Sequence, residues 1–162
     1  MGCGLNYGEV VFGNIGSAKK MEPTVIGDTV NVAARLESLT KEYGRDLLIG
    51  EAAAELVRDK FRLQFVDRVA LKGKSKPLDL YSVLGPADQS LEPDLHHYLE
   101  VFHTASAAYH ERSFANAELQ FRRCVLLRPG DQLSALYLER CALFLTNPPE
   151  EGWEGVWIAE RK

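Results

Sequence analysis

The feature that most constrains this chain is a change of hydrophobic period at Asp28. Ahead of it, residues 8–16 (GEVVFGNIG) place a short β-branched and aromatic run between glycines, the pattern of a buried strand leaving into a loop. Behind it, Val32, Leu36, Leu39 and Tyr43 recur at the spacing of one helical face. Asp28 or Thr29 is expected to cap the first turn and Gly44 to stop the last, giving a helix of about four turns. Asp46 to Ile49 then predicts a short strand and Glu51 to Lys60 a short helix. Phe61 to Ala70 and Leu78 to Leu84 predict two strands joined by a turn from Lys72 to Pro77, where Gly73 and Pro77 supply the bend. This order describes an α+β fold ending in a hairpin.

The residues after Leu84, GPADQSLEPD, are polar and carry two prolines, the composition of a linker. Three helices are expected beyond it, near 95–110, 114–127 and 132–145, separated by Glu111–Ser113 and by Pro129-Gly130-Asp131. Ala117, Phe121, Cys124 and Pro129 are similar to the small, aromatic, small, proline rhythm in the second helix of a tetratricopeptide repeat. A single repeat buries its apolar face only against neighbours. This one must therefore lean on the first part of the chain, on a partner, or on a third helix carrying Leu133, Leu136, Tyr137 and Cys141. In the tail, PPEEGWEGVWIAERK, Trp153 and Trp157 are read as anchors closing the last groove, with an exposed partner-binding site as the alternative. The resulting division is 1–86, a linker at 87–94, and a helical segment at 95–162.

At 162 residues with 46% apolar and 26% charged residues, the chain has enough hydrophobic mass to fold. A net charge of -4 without a basic stripe gives no support to nucleic acid as a partner. No apolar run reaches the roughly 20 residues that span a bilayer, and no signal pattern opens the chain, so a cytoplasmic location is expected. Cys3, Cys124 and Cys141 are far apart and lack Cys-x-x-Cys spacing, which points to reduced, packed thiols.

The glycines between Gly2 and Gly16 fit no phosphate-binding template. Gly8 to Gly13 is followed by Asn14-Ile15 rather than Lys and Ser or Thr, and Gly2-Cys3-Gly4 lacks a preceding strand and a third glycine. Turns and close backbone approach are the expected use of these glycines. Asn31 and Arg35, four residues apart, share a face at the border of the apolar stripe. An amide beside a guanidinium suits negative charge developing on phosphate oxygens, although a solvated or salt-bridged face would show the same spacing. Lys72, Lys74 and Lys76 could hold a polyphosphate as flexible point charges, or simply keep a hairpin turn soluble. His96, His103 and His110 recur every seven residues, roughly 10 Å apart along a helix, too far to share one metal.

Together, TVIGDTVNVAARLESLTKEYG, the preceding GEVVFGNIGSAKKMEP and the following LKGKSKPLDLYSV closely resemble the class III adenylate and guanylate cyclase catalytic domain. The resemblance covers about half of the chain, with VNVAAR as its most specific part. It implies a partial ferredoxin-like cyclase sheet with helices, followed by a small all-α tetratricopeptide-like segment. It also implies a site formed between two catalytic domains, where the ribose 3′-hydroxyl of ATP attacks the α-phosphorus and diphosphate leaves. By the resemblance, Asn31 orients the ribose and Arg35 stabilises the transition-state phosphate. Thr24 falls where the purine edge is read and looks more like an adenylate cyclase. Lys72 approaches the terminal phosphates, with Lys74 as a substitute.

The family holds two Mg or Mn ions on aspartates in the first half of its domain, and no position here matches them. Met1 stands where that half should already have ended. The expectation is therefore part of an adenylate cyclase, inactive alone, that needs a second cyclase domain or chain to supply the metal-binding aspartates. The tail resembles the end of certain bacterial multidomain cyclases. The alternative is a non-catalytic interaction module that binds a protein partner through the tetratricopeptide-like helices.

Overall fold

The computed structural model describes residues 2–17, 20–71 and 76–159. In chain order its elements are β1 (Cys3–Leu5), β2 (Val11–Ser17), β3 (Lys20–Ile26), α1 (Asp28–Tyr43), β4 (Leu47–Gly50), α2 (Glu51–Val57), β5 (Phe61–Leu71), β6 (Leu78–Pro86), α3 (Pro93–His110), α4 (Phe114–Leu127), α5 (Gln132–Thr146) and β7 (Val156–Ala159). Five strands form one mixed sheet in the order β1-β4-β6-β5-β7. β1 lies parallel to β4 and β7 parallel to β5, while β6 is antiparallel to both of its neighbours. β2 and β3 make a separate antiparallel ribbon.

Alternation along the strands sorts the two faces of the sheet. Leu48 joins the large core shared with α1 and α3–α5, whereas its neighbour Ile49 packs with Ala53 and Ala54 of α2. β5 breaks this alternation. A register shift between Phe65 and Asp67 lets the consecutive residues Val66 and Asp67 both turn inward, each 0% exposed. A bulge is the backbone device that re-aims a side chain in this way.

α1 follows the predicted apolar stripe, with Val32, Leu36, Leu39 and Tyr43 buried. Its start differs from expectation. Gly27 occupies the cap position, Asp28 lies within the first turn, and the Thr29 hydroxyl donates to the Glu9 carbonyl at 3.0 Å. Gly44 ends the helix in the left-handed region, at φ 59, as the sequence suggested. Strand β1 runs so close to α1 that a Cβ on Gly4 would overlap the helix backbone at Ala33 and Glu37. Backbone cannot swing aside as a side chain can. Gly4→Ala is therefore expected to cost about 1–3 kcal/mol of stability, read as a lower midpoint in urea unfolding.

The three later helices lie close to their predicted spans, although α3 begins at Pro93, in the first helical turn where a missing N–H costs nothing. They lean on the sheet through the same continuous core. Phe121 of α4 stacks on Tyr137 of α5 at 4.8 Å, and Phe102 of α3 meets both rings edge-on. Cys124 and Cys141 are fully buried, and burial pushes both thiols up to about 12, keeping them protonated.

The tail holds a strand that the sequence reading did not anticipate. β7 adds to the outer edge of β5, placing Arg68 opposite Val156 and Val69 opposite Trp157. Trp153 packs among Tyr109, Phe114 and Phe144 at centroid distances of 5.1–5.8 Å. Among the described residues, no helix is long and apolar enough to cross a membrane.

Candidate active site

The N-terminal half of α1 carries the two residues singled out for phosphate chemistry. Asn31 is exposed and Arg35 half-buried, one helical turn apart, each next in sequence to a buried residue, Val32 and Leu36 respectively. Thr24 is half-buried on β3, opposite Gly13 of β2, and the chain passes from it through Gly27 into α1. Lys72 and Lys74 lie outside the described residues. Lys76, at the end of the same turn, is exposed. The fold thus brings Asn31 and Arg35 to one edge of one helix, with Thr24 on the adjoining strand.

Among the described residues, no group of three or more His, Cys, Asp or Glu side chains is arranged to hold a metal ion. The donor set therefore does not fit Mg or Mn, and no step of the chemistry is assigned to an ion held by these residues. The histidines remain apart from any such role. His96, His97 and His103 are exposed, while the His110 ring is partly buried against Phe65 and Tyr109, its Nδ1 at 2.7 Å from the Ser106 carbonyl.

Electrostatic anchors hold the far end of α1, and sequence reasoning missed them. Asp67 on β5 accepts from the Tyr43 hydroxyl at 2.6 Å, from Arg140 Nη1 at 2.6 Å and from the Tyr137 hydroxyl at 3.2 Å. The side chains of Arg140 and Asp67 are 2% and 0% exposed. Burial opposes the Arg140 charge, but the Asp67 carboxylate outweighs it and holds the guanidinium above its ordinary value. Burial, then the Asp67 charge, also raises the Tyr43 phenol, which stays a neutral donor. The indole of Trp157 lies against the other face of the guanidinium, 3.9 Å from its carbon. An isolated Asp within an otherwise strand-like run was the only signal in the sequence, and its partner lies 73 residues away.

A second anchor joins Arg45, just past Gly44, to Asp131 at 2.8 Å. Asp131 also caps α5 through the Ser134 N–H at 2.9 Å and accepts from the Tyr98 hydroxyl at 2.8 Å. Burial alone would raise the Asp131 carboxyl, but Arg45 and the Ser134 donors outweigh it and lower its value. A carboxyl depressed on folding contributes stability above its unfolded value, near 3.9, and loses that contribution as pH falls through the folded value. Asp131→Asn is therefore expected to lower stability at neutral pH and to weaken the loss of stability on acidification below about pH 4, in thermal melts across pH.

Comparison with known proteins decides the family. The model of the family described as "Adenylate and Guanylate cyclase catalytic domain" matches residues 1–85. The chain belongs to that family. Asn31, Arg35 and Thr24 all fall inside the matched cyclase region. Over 143 residues, 86% of this chain, it is 32% identical to the terminal-differentiation specific adenylate cyclase of Dictyostelium discoideum. That alignment is longer than the cyclase region, so it runs into the helices beyond it. The adenylate cyclase of Anabaena cylindrica is 41% identical over 86 residues, 51% of this chain. The chain spans only 7% and 17% of the length of these two relatives. The crystal structure of the adenylyl cyclase CyaB from P. aeruginosa is 35% identical, covers 55% of this chain and 44% of its own, and superposes with a TM-score of 0.47.

Proposed function

We propose that this chain is part of an adenylate cyclase that converts ATP to cyclic AMP and diphosphate. In this reading it supplies the Asn31 and Arg35 side of a site shared with a second cyclase domain. The observation that carries it is the pairing of Asn31 with Arg35 on one edge of α1, within the region that matches the cyclase family. Arg35 offers a fixed fork of donors to the phosphate as charge builds on its oxygens, and Asn31 offers an adaptable amide to the ribose. Thr24 reads the purine edge, and Lys72, with Lys74 as substitute, meets the terminal phosphates. The second domain contributes the carboxylates for Mg or Mn, the ion that would activate the 3′-hydroxyl and neutralise phosphate charge.

One feature supports a shared site: the β2–β3 ribbon exposes Val11, Phe12, Ile15, Val25 and Ile26, with Val11 and Phe12 70% and 72% exposed. Val11, Ile15 and Ile26 share one face of the ribbon and Phe12 and Val25 the other, and exposed apolar side chains in this number support the reading of the ribbon as an interface. We read residues 1–86 as the cyclase part and 95–162 as a tetratricopeptide-like appendage. The burial of Ala117, Phe121 and Cys124 along one face of α4 supports the appendage reading.

Two experiments test this function. The isolated chain with ATP and manganese is expected to give no cyclic AMP above background, and clear metal-dependent turnover would contradict a shared site. Phe12→Ser together with Val11→Thr is expected to weaken association, read by sedimentation velocity as a shift toward the monomer. An unchanged distribution would take the ribbon out of the interface.

A further inference from the structure

The reading of Asn31 and Arg35 raises the question of what fixes α1, the helix that carries them. Near its N-terminal end, Thr29 donates to the Glu9 carbonyl and Asn6 to the Thr29 carbonyl. At its C-terminal end, two charged contacts lead to α5. Tyr43 reaches Arg140 through the shared carboxylate of Asp67, and Arg45 reaches Asp131 at the start of α5. Side chains from four elements meet at the Arg140 guanidinium, through its two terminal nitrogens and its ring contacts, while its Nε is buried without a partner among the described residues. Asp67 comes from β5, Tyr43 from α1, Tyr137 from α5 itself and Trp157 from β7.

We propose that Arg140 is a positioning residue for the candidate site, holding α1 in register with the helical half through Asp67 and Tyr43, so that a displacement of α5 is transmitted to Asn31 and Arg35. The inference rests on the cyclase reading for its functional consequence, but its mechanical part stands on contacts alone. Tyr43 lies eight residues beyond Arg35, about 12 Å along the helix axis, within one unbroken helix. A rod of that length does not absorb movement at one end. The bulge at Asp67 serves the same end, because without it the alternation of β5 would turn either Val66 or Asp67 away from the core. The buried pair also has a directional role that apolar contacts lack. A guanidinium that donates through Nη1 to one carboxylate and through Nη2 to the Tyr43 hydroxyl, with its plane against one indole, has a preferred geometry, whereas apolar side chains in the same space could slide.

The test compares amide hydrogen exchange in the whole chain and two variants. Asp67→Asn with Arg140→Met removes both charges while keeping an acceptor for the two tyrosines. Ala117→Gly destabilises the helical half at a buried position of α4 outside the cluster. In the double variant, the amides of Val32–Leu36 are expected to exchange roughly tenfold faster while those of Leu80–Ser82 in β6 keep their protection. In Ala117→Gly, α1 and β6 are expected to move together or not at all. Unchanged α1 exchange in the double variant, or a rise that only parallels β6, would overturn the positioning role.

A second measurement uses the chain assembled with a partner that supplies the metal carboxylates. The double variant is expected to lower kcat severalfold at an unchanged KM. Arg35→Ala in the same assay separates the two claims: if it leaves turnover intact, the cyclase reading fails, and the exchange result alone decides whether α5 positions α1.

Discussion

Replacing Arg35 with alanine is expected to lower kcat of a cyclase assembled from this chain and a carboxylate-bearing partner by roughly 10²–10³, with KM little changed. The size follows from where the interaction acts. Arg35 is half-buried at the border of the apolar stripe of α1, and in the proposed reading it faces the phosphate. Its donors are strongest against oxygens whose charge grows in the transition state, and removing one such donor typically costs about 3–4 kcal/mol of barrier. In the proposed reading, ground-state binding of ATP rests mainly on the purine and terminal-phosphate contacts, so KM is expected to be spared. Arg35→Lys keeps a positive charge but loses the planar fork, and is expected to recover only part of the rate. Initial rates of cyclic AMP formation check both variants, and a loss below threefold for Arg35→Ala would remove it from the reacting centre.

Arg140→Ala is expected to be the most damaging single change to stability, at about 3–5 kcal/mol. It would leave the Asp67 carboxylate 0% exposed and without its cation, and would strip Trp157 of its stacking partner. For a chain of this size the loss corresponds to a fall in Tm of roughly 10 °C, measurable by circular dichroism. Asp67→Asn with Arg140→Met should cost less than the sum of the single changes, because it removes the charge that the single change would strand. A melting temperature in Arg140→Ala within a degree or two of the parent would mean that the cluster is not the tie between the two halves.

Much of this organisation was legible in the residues, and the exceptions have physical causes. α1 could be read because Val32, Leu36, Leu39 and Tyr43 keep a helical period and Gly44 supplies the left-handed stop. The three later helices were separated by the polar break Glu111–Ser113 and by Pro129-Gly130-Asp131, where Pro and Gly leave little choice of conformation. β1, β3 and β7 escaped notice. β1 is three residues long, and β3 contains Pro23 and a charged end, so neither shows a strand pattern of its own. β7 exists because the edge of β5, some 88 residues earlier in register, offers it a ladder. The Asp67–Arg140 pair is of the same kind, since two charged residues far apart in sequence look like surface residues until the fold brings them together. The sharing of one face by Asn31 and Arg35 was legible from their spacing alone. Lys72 and Lys74 fall outside the described residues, so their part in the site rests on the cyclase reading.

The central claim is that this chain contributes Asn31 and Arg35 to a cyclase site completed by another domain. The most direct test mixes it with a cyclase domain that carries the metal-binding carboxylates but whose own Asn and Arg have been replaced by alanine. Any cyclic AMP must then form at a site that uses Asn31 and Arg35. Activity is predicted to rise from background as this chain is added, to saturate with its concentration, and to vanish when Arg35→Ala is added instead. Activity that stays at background at every ratio, or that is restored equally by Arg35→Ala, would contradict the account.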